Sequence, residues 1–212
     1  MSLTLHMHPL SSYCHKVLIA LYELEAPFET AFLDLGDAQA RERFLALWPV
    51  GKMPVLEDPE QGVVLPESSI IIDYLNHRFG GELIPQDPAK ALEVRAQDRF
   101  FDQYVHTPMG AITWDRLRPA EARDPYGVKR AEAQLALAYD MIETRMAGRT
   151  WAAGDGFSLA DCAAAPALFY ADGRVPIGDR PNVRAYLERL KARPSYARAL
   201  KEAEPYFHMV PK

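Results

Sequence analysis

Strand-like segments in this 212-residue chain all lie ahead of Pro66. Beyond a run dense in breakers, Gly80-Gly81-Glu82-Leu83-Ile84-Pro85-Gln86-Asp87-Pro88, only helical periods follow. The first part alternates. Residues 3–7 and 28–33 read as strands, and residues 11–24 between them carry Tyr13, Val17, Leu21 and Leu24 on one helical face. A short helix over 37–47 follows, then strands over 54–57 and 63–65 about a Pro/Glu/Gln/Gly turn, then a helix from Ser68. A βαβ half followed by a ββα half predicts an α/β unit with a mixed four-stranded sheet and helices on its faces. This unit is expected over residues 1–80, with a linker over 81–88 and an all-α helical bundle over 89–212. The bundle's helices are expected at 89–118, 126–147, 158–170, 181–192 and 196–203.

Composition narrows the classes of function. Apolar residues at 49% and charged residues at 25% are ordinary for a soluble globular protein. A net charge of −5 without a long run of either sign offers nucleic acid no electrostatic footprint. No apolar run approaches the roughly 20 residues that cross a bilayer, and the N-terminus lacks the basic and apolar regions of a signal peptide. A cytoplasmic location is expected. Cys14 and Cys162 stand far apart, belong to no metal-spaced cluster and are expected to be reduced thiols. His6 and His8 alternate along a strand; two histidines without further ligands point to a strand face and not to a metal, because a zinc site needs three or four protein ligands.

Two short segments read as a place to hold a peptide. In Gly51-Lys52-Met53-Pro54-Val55-Leu56, a proline that cannot donate to a sheet ladder must enter its strand at a start or an edge. Met53 then keeps its own N–H and C=O for an extended peptide alongside, an arrangement that a cis Met53–Pro54 bond suits best. In Pro66-Glu67-Ser68-Ser69-Ile70-Ile71, a carboxylate and a hydroxyl open a helix whose Ile71, Leu75 and Phe79 repeat every four residues. A helix start attracts a carboxylate, and Glu67 attracts an amine, so together they suit the two α-substituents of one amino acid. Each piece also has a plainer role, Pro54 as a strand start and Glu67-Ser68 as a helix cap.

Leu10-Ser11-Ser12-Tyr13-Cys14 joins the first strand to the first helix. Serine is a favoured cap, yet a hydroxyl here would also stand over the middle of a bound peptide. Were that middle residue cysteine, the chemistry is defined. A thiol of pKa about 8.5 is about 3% ionised at pH 7, and lowering the pKa by about two units raises that to about three-quarters. The shift corresponds to about 2.7 kcal/mol. A hydroxyl donating to the thiolate contributes about 1.5–3 kcal/mol and a helix N-terminus about 0.3–1 kcal/mol. No Gly-x-Ser-x-Gly elbow occurs, which argues against a hydrolase. Further on, Phe157-Ser158-Leu159-Ala160-Asp161-Cys162 has the pattern of a capping box inside a hydrophobic staple, a structural role.

These motifs resemble those of the soluble glutathione transferases, over nearly the whole chain. Ser11 stands where serine-type members place their hydroxyl, Lys52-Met53-Pro54 resembles their Lys/Gln-Val-Pro segment, and Glu67-Ser68 resembles their Glu-Ser pair. Ser158-Leu159-Ala160-Asp161 is similar to their folding motif, and the motifs come nearest to zeta- and theta-like members. The resemblance implies a thioredoxin-like N-terminal domain, a helical C-terminal domain, a homodimer, and glutathione as co-substrate conjugated to a small hydrophobic electrophile. It implies that Glu67 and Ser68 hold the γ-glutamyl end, Met53 pairs with the cysteinyl backbone beside cis-Pro54, and Lys52 meets the glycine carboxylate. Ser11 would steady the sulfur, with Ser12 its nearest competitor. The same fold carries glutathione-dependent isomerases, dehalogenases and reductases, and non-enzymatic protein-binding relatives. Ser11-Ser12-Tyr13-Cys14 also resembles the glutaredoxin Cys-Pro-Tyr-Cys motif with its first cysteine replaced, so Cys14 is expected to pack and not to react. Tyr13, Tyr104, His106 and Trp114 are candidates for lining the electrophile cleft, because apolar ligands favour aromatic walls with a few polar tips.

Overall fold

A computed structural model describes residues 2–34, 36–154 and 156–210. Strands β1 (Leu3–Met7), β2 (Phe28–Phe32), β3 (Val55–Asp58) and β4 (Val63–Pro66) form one sheet in the order β2-β1-β3-β4. Helix α1 (Ser12–Glu23) connects the parallel pair β1 and β2, and α2 (Ala38–Leu47) leads to the antiparallel half, which α3 (Ser68–Phe79) closes. This is the mixed sheet expected from βαβ followed by ββα. β3 begins one residue later than the sequence suggests, because Pro54 has no N–H to enter the ladder.

Register decides where chemistry can gather. His6 pairs with Val55 across the antiparallel β1–β3 ladder, and Val55 with Pro66 across β3–β4. The end of β1, the start of β3 and the end of β4 therefore lie at one end of the sheet. That end carries the loop to Ser11, the Met53–Pro54 bond and the start of α3.

From Pro88 onward the described residues hold helices and turns: α4 (Pro88–Phe100), α5 (Thr107–Arg116), α6 (Pro125–Met146), α7 (Leu159–Asp172), α8 (Pro181–Ala192) and α9 (Pro194–Ala203), ending in a 3-10 turn over Glu204–Met209. The helix expected without a break over 89–118 is interrupted by a π-helical segment, Phe101–His106, that joins α4 to α5. Pro108 accounts for it: a proline has no N–H to give and its ring crowds the carbonyl four residues back, and a wider turn relieves both.

One apolar core runs through both parts. Leu5, Leu18, Leu21 and Ile71 of the sheet unit join Val94, Leu135, Tyr139, Leu168 and Tyr186 of the helices. α1 explains the continuity, because it packs on α3 on one side and on α7 and α9 on the other. Leu33, Phe44 and Val55 make a smaller cluster under α2. Inside the helical part Asp161 does more than cap. Its carboxylate accepts from the Ser158 N–H and hydroxyl, from the Ala152 N–H, and from Tyr186 Oη at 2.6 Å, all in a buried setting.

Candidate active site

Ser11 caps α1. Its Oγ accepts the Cys14 N–H at 3.3 Å, and its backbone N–H donates to His8 O at 2.9 Å. The capping bond uses a lone pair of the oxygen and leaves the hydroxyl proton committed to no described residue. Ser12, one position on, is in a different state. It is buried, and its Oγ is hydrogen-bonded to His106 Nε2 from the π segment. With the His106 proton on Nδ1 the Ser12 hydroxyl donates to Nε2 and its proton is taken; with it on Nε2 the Ser12 oxygen accepts and keeps its proton, as Ser11 does. The Tyr13 ring lies against the same imidazole, with centroids 4.0 Å apart. Burial, with the Lys16 ammonium adding to it, lowers the His106 pKa to about 4, so the ring is neutral near pH 7. Burial likewise pushes the Tyr13 phenol up, and the charge of Asp102 pushes the same way, so its hydroxyl stays protonated.

The helices meet along matched faces. Ser12 and Lys16 are one turn apart on α1; Asp98, Asp102 and His106 are successive turns along α4 and the π segment. Ser12 meets His106, while Lys16 Nζ lies 2.6 Å from Asp98 and 2.9 Å from Asp102. Ser69 joins this cluster from α3, accepting from Lys16 at 2.9 Å and donating to Asp98 at 2.7 Å. Lys16 is 1% exposed, so its charge is fully taken out of water and its two carboxylate partners are what make that tolerable. Burial raises the Asp98 carboxyl, and Lys16 opposes it. Sequence reading missed this cluster. The signal present was the pair of acids four residues apart, Asp98 and Asp102, on an otherwise apolar stripe.

The Met53–Pro54 bond is cis. The Met53 N–H and C=O make no hydrogen bond among the described residues. Glu67 stands at the N-cap of α3 with φ of 70°, in the left-handed region that a non-glycine residue seldom occupies, and its side chain makes no capping bond. Capping therefore does not explain Glu67. Ser68 is buried at the first turn of α3, and Lys52 is exposed beside the cis bond. Ser11, Lys52, Met53, Pro54, Glu67 and Ser68 thus occupy the same end of the sheet.

Of the four aromatic candidates, Tyr13 and His106 come together against Ser12. Tyr104 and Trp114 do not join them: they are 60% and 67% exposed, and Tyr104 packs on Phe100 instead. Positions two apart on a helix, such as 104 and 106, face different ways. Other rings stand at the sheet end. His8, Phe32 and Tyr206 form a cluster with centroids 5.3 to 5.8 Å apart, in which the last 3-10 turn reaches back over β1 and β2. Nothing in the sequence pairs Tyr206 with residue 8, since the contact is made by chain return alone. The open depression of about 790 Å³ between α4 and α6, lined by Glu93, Phe100, Met141, Arg145 and Arg149, includes none of these residues.

Cys14 is wholly buried, its thiol pushed up to about 12 by burial against the opposing bond from Ser11. It is the wrong thiol for redox work.

The arrangement defines a class: a sheet unit with a cis-proline edge, a free hydroxyl and an unsatisfied helix start at one end, docked on a helical unit. Comparisons with known proteins agree. Residues 5–83 match the family model "Glutathione S-transferase, N-terminal domain", and residues 125–189 match "Glutathione S-transferase, C-terminal domain". The chain is 29% identical to glutathione S-transferase PARB of Nicotiana tabacum over 96% of this chain and 100% of that protein. It is 31% identical to glutathione S-transferase F7 of Arabidopsis thaliana over 91% and 96%. A glutathione S-transferase from Methylobacillus flagellatus KT, solved with GSH bound, superimposes with a TM-score of 0.85 at 26% identity, covering 93% of this chain and 98% of that one. The chain belongs to the glutathione S-transferase family of enzymes, and its two parts are the thioredoxin-like and helical units of that family.

Proposed function

We propose that this protein binds glutathione at the sheet end and conjugates it to a small hydrophobic electrophile, with Ser11 donating its hydroxyl proton to the glutathione sulfur. The observation that carries the choice of Ser11 is the contrast between neighbours: Ser11 is half-buried with its hydroxyl proton given to no described residue, whereas Ser12 is buried with its oxygen bonded to the His106 imidazole. In this reading the cysteinyl backbone pairs with Met53 beside cis-Pro54. The γ-glutamyl amine meets Glu67, its carboxylate meets the N–H groups at Ser68, and the glycine carboxylate meets Lys52. The left-handed backbone of Glu67, with no cap to justify it, supports a ligand role there.

The thiolate would form at the positive end of α1 and attack an electrophile lying against Tyr13 and His106. Both rings are uncharged at neutral pH, which suits an apolar substrate. A reductase using a cysteine of this chain is disfavoured because Cys14 is sealed and protonated. The exposed Tyr104 and Trp114 fit a contact with a second copy, and we assign the chain to a homodimer on that footing. No helix among the described residues is long and apolar enough to cross a membrane.

Titration calorimetry with glutathione tests the binding half, and turnover on an aryl halide, an epoxide, an organic hydroperoxide and an isothiocyanate tests the chemistry. Heat of binding with conjugation of at least one electrophile is expected. No heat at millimolar glutathione would leave the fold without this function.

A further inference from the structure

His15 sits at the junction of the two units and does something the proposed chemistry does not use. It is fully buried, and its Nε2 lies 2.5 Å from the carbonyl oxygen of Pro9. A carbonyl only accepts, so Nε2 carries the proton and Nδ1 presents a lone pair. Burial holds the ring far below its usual range, at about 4, which keeps it in that neutral tautomer. Yet Nδ1 has no hydrogen-bond partner among the described residues, and neither do the buried hydroxyls of Tyr170 on α7 and Tyr196 on α9. Both phenol rings flank His15, at 5.9 and 6.0 Å between centroids.

One stranded buried polar atom costs about 1–3 kcal/mol, and interiors rarely tolerate even one. Three around one residue call for a common partner. The required partner donates to one acceptor, His15 Nδ1, and accepts from two donors, the phenols. A water molecule matches that count, and internal waters typically make about three such bonds.

We propose that His15, Tyr170 and Tyr196 enclose a structural water, and that through it His15 is a positioning residue for the Pro9–Ser11 turn. The chain of contacts runs from α7 and α9 through the water to Nδ1, across the imidazole to Nε2, and on to Pro9 O, two residues from Ser11. The helical unit thereby sets the height of the hydroxyl above the sheet end. The functional half of this inference rests on the Ser11 reading; the water site does not.

Two measurements test it. A crystal structure of the full chain near atomic resolution should show one water within hydrogen-bond distance of Nδ1 and both hydroxyls. A dry contact, with a phenol bonded directly to Nδ1, would overturn the site. In solution, His15→Leu removes both ring bonds, while His15→Gln keeps a donor at the position that meets Pro9 O. Ultraviolet titration of the glutathione thiolate in the complex should give a higher thiol pKa for His15→Leu, with kcat/KM down roughly tenfold to a hundredfold, as expected for small misplacement. Glutathione Kd should change little, and His15→Gln should recover most of the loss. If His15→Leu fails to fold, Tyr170→Phe with Tyr196→Phe is read the same way, with a smaller pKa rise expected. A thiol pKa equal to wild type in a folded variant that binds glutathione sinks the positioning role. Ser11→Ala run alongside separates the two readings: an unmoved pKa there removes the Ser11 assignment while the crystallographic water still stands or falls by itself.

Discussion

At the scale of single residues, adjacent side chains of one type carry different assignments because their partners differ. Ser11 gives a lone pair to the Cys14 N–H and keeps its proton, so cap and candidate donor coexist on one atom. Sequence alone left Ser11 and Ser12 open, since the partner that separates them, His106, lies 94 positions away. Cys14→Ala should leave turnover unchanged, because a thiol held near 12 in a sealed core has no route to substrate; a large loss in steady-state rate would contradict this. His106 supplies a pH test. Its folded value, about 4, lies below the usual 6.5, so between those values the unfolded chain binds a proton that the folded chain refuses. Stability therefore falls as pH drops from 6.5 toward 4, by up to about 2 kcal/mol at pH 5 from this residue. His106→Gln removes that contribution, so the Tm difference between variant and wild type should move in favour of the variant between pH 7 and pH 5. A constant difference would show that His106 protonates freely in the folded protein.

At the scale of elements, two joints hold the molecule in register. Lys16 joins α1 to α4, with Ser69 bringing in α3. Lys16→Met keeps the apolar stem but leaves two carboxylates buried without their cation, and a loss of about 3–5 kcal/mol in chemical denaturation is expected. A loss below about 1 kcal/mol would mean that water or Arg99, 3.2 Å from Asp102, already carries the balance. The second joint is Asp161. Its capping box is plain in the sequence, and a cap alone is worth about 0.5–2 kcal/mol. The structure adds Ala152 and Tyr186 as donors, so Asp161→Ala strands four buried donors and should cost about 3 kcal/mol or more, measured as a drop in unfolding free energy with glutathione affinity retained in the folded fraction. A cost within the cap range would show that the extra bonds are replaced by solvent. The contrast shows what local patterns can reveal: Ser158 and Asp161 are three residues apart and announce each other, whereas Tyr186 is 25 positions on and does not. The π segment was hidden for another reason. Helical periodicity tolerates one inserted residue, and only Pro108 marked the place.

At the scale of the whole molecule, the mixed four-stranded sheet and the division between sheet and helices could be read from periods and breakers, because those signals are local and repeat, whereas the strand order came from the structure. The register that brings Ser11, Pro54 and Glu67 to one end follows once β3 is antiparallel to both neighbours, so the gathering of these residues was legible too. The grouping of the aromatic candidates was not. Tyr104 and Trp114 share a helix with His106 yet face solvent, and Tyr206 arrives from the far end of the chain. The central claim is that the sheet end acidifies a bound thiol through Ser11, and the thiol pKa of glutathione in the complex measures it directly. Followed by thiolate absorbance, that pKa should fall one to two units or so below the free value of about 8.5 in wild type and in Ser12→Ala, and return close to it in Ser11→Ala, with kcat/KM down about 10²–10³-fold. A bound thiol that titrates like free glutathione in wild type, or stays acidified in Ser11→Ala, would contradict the account.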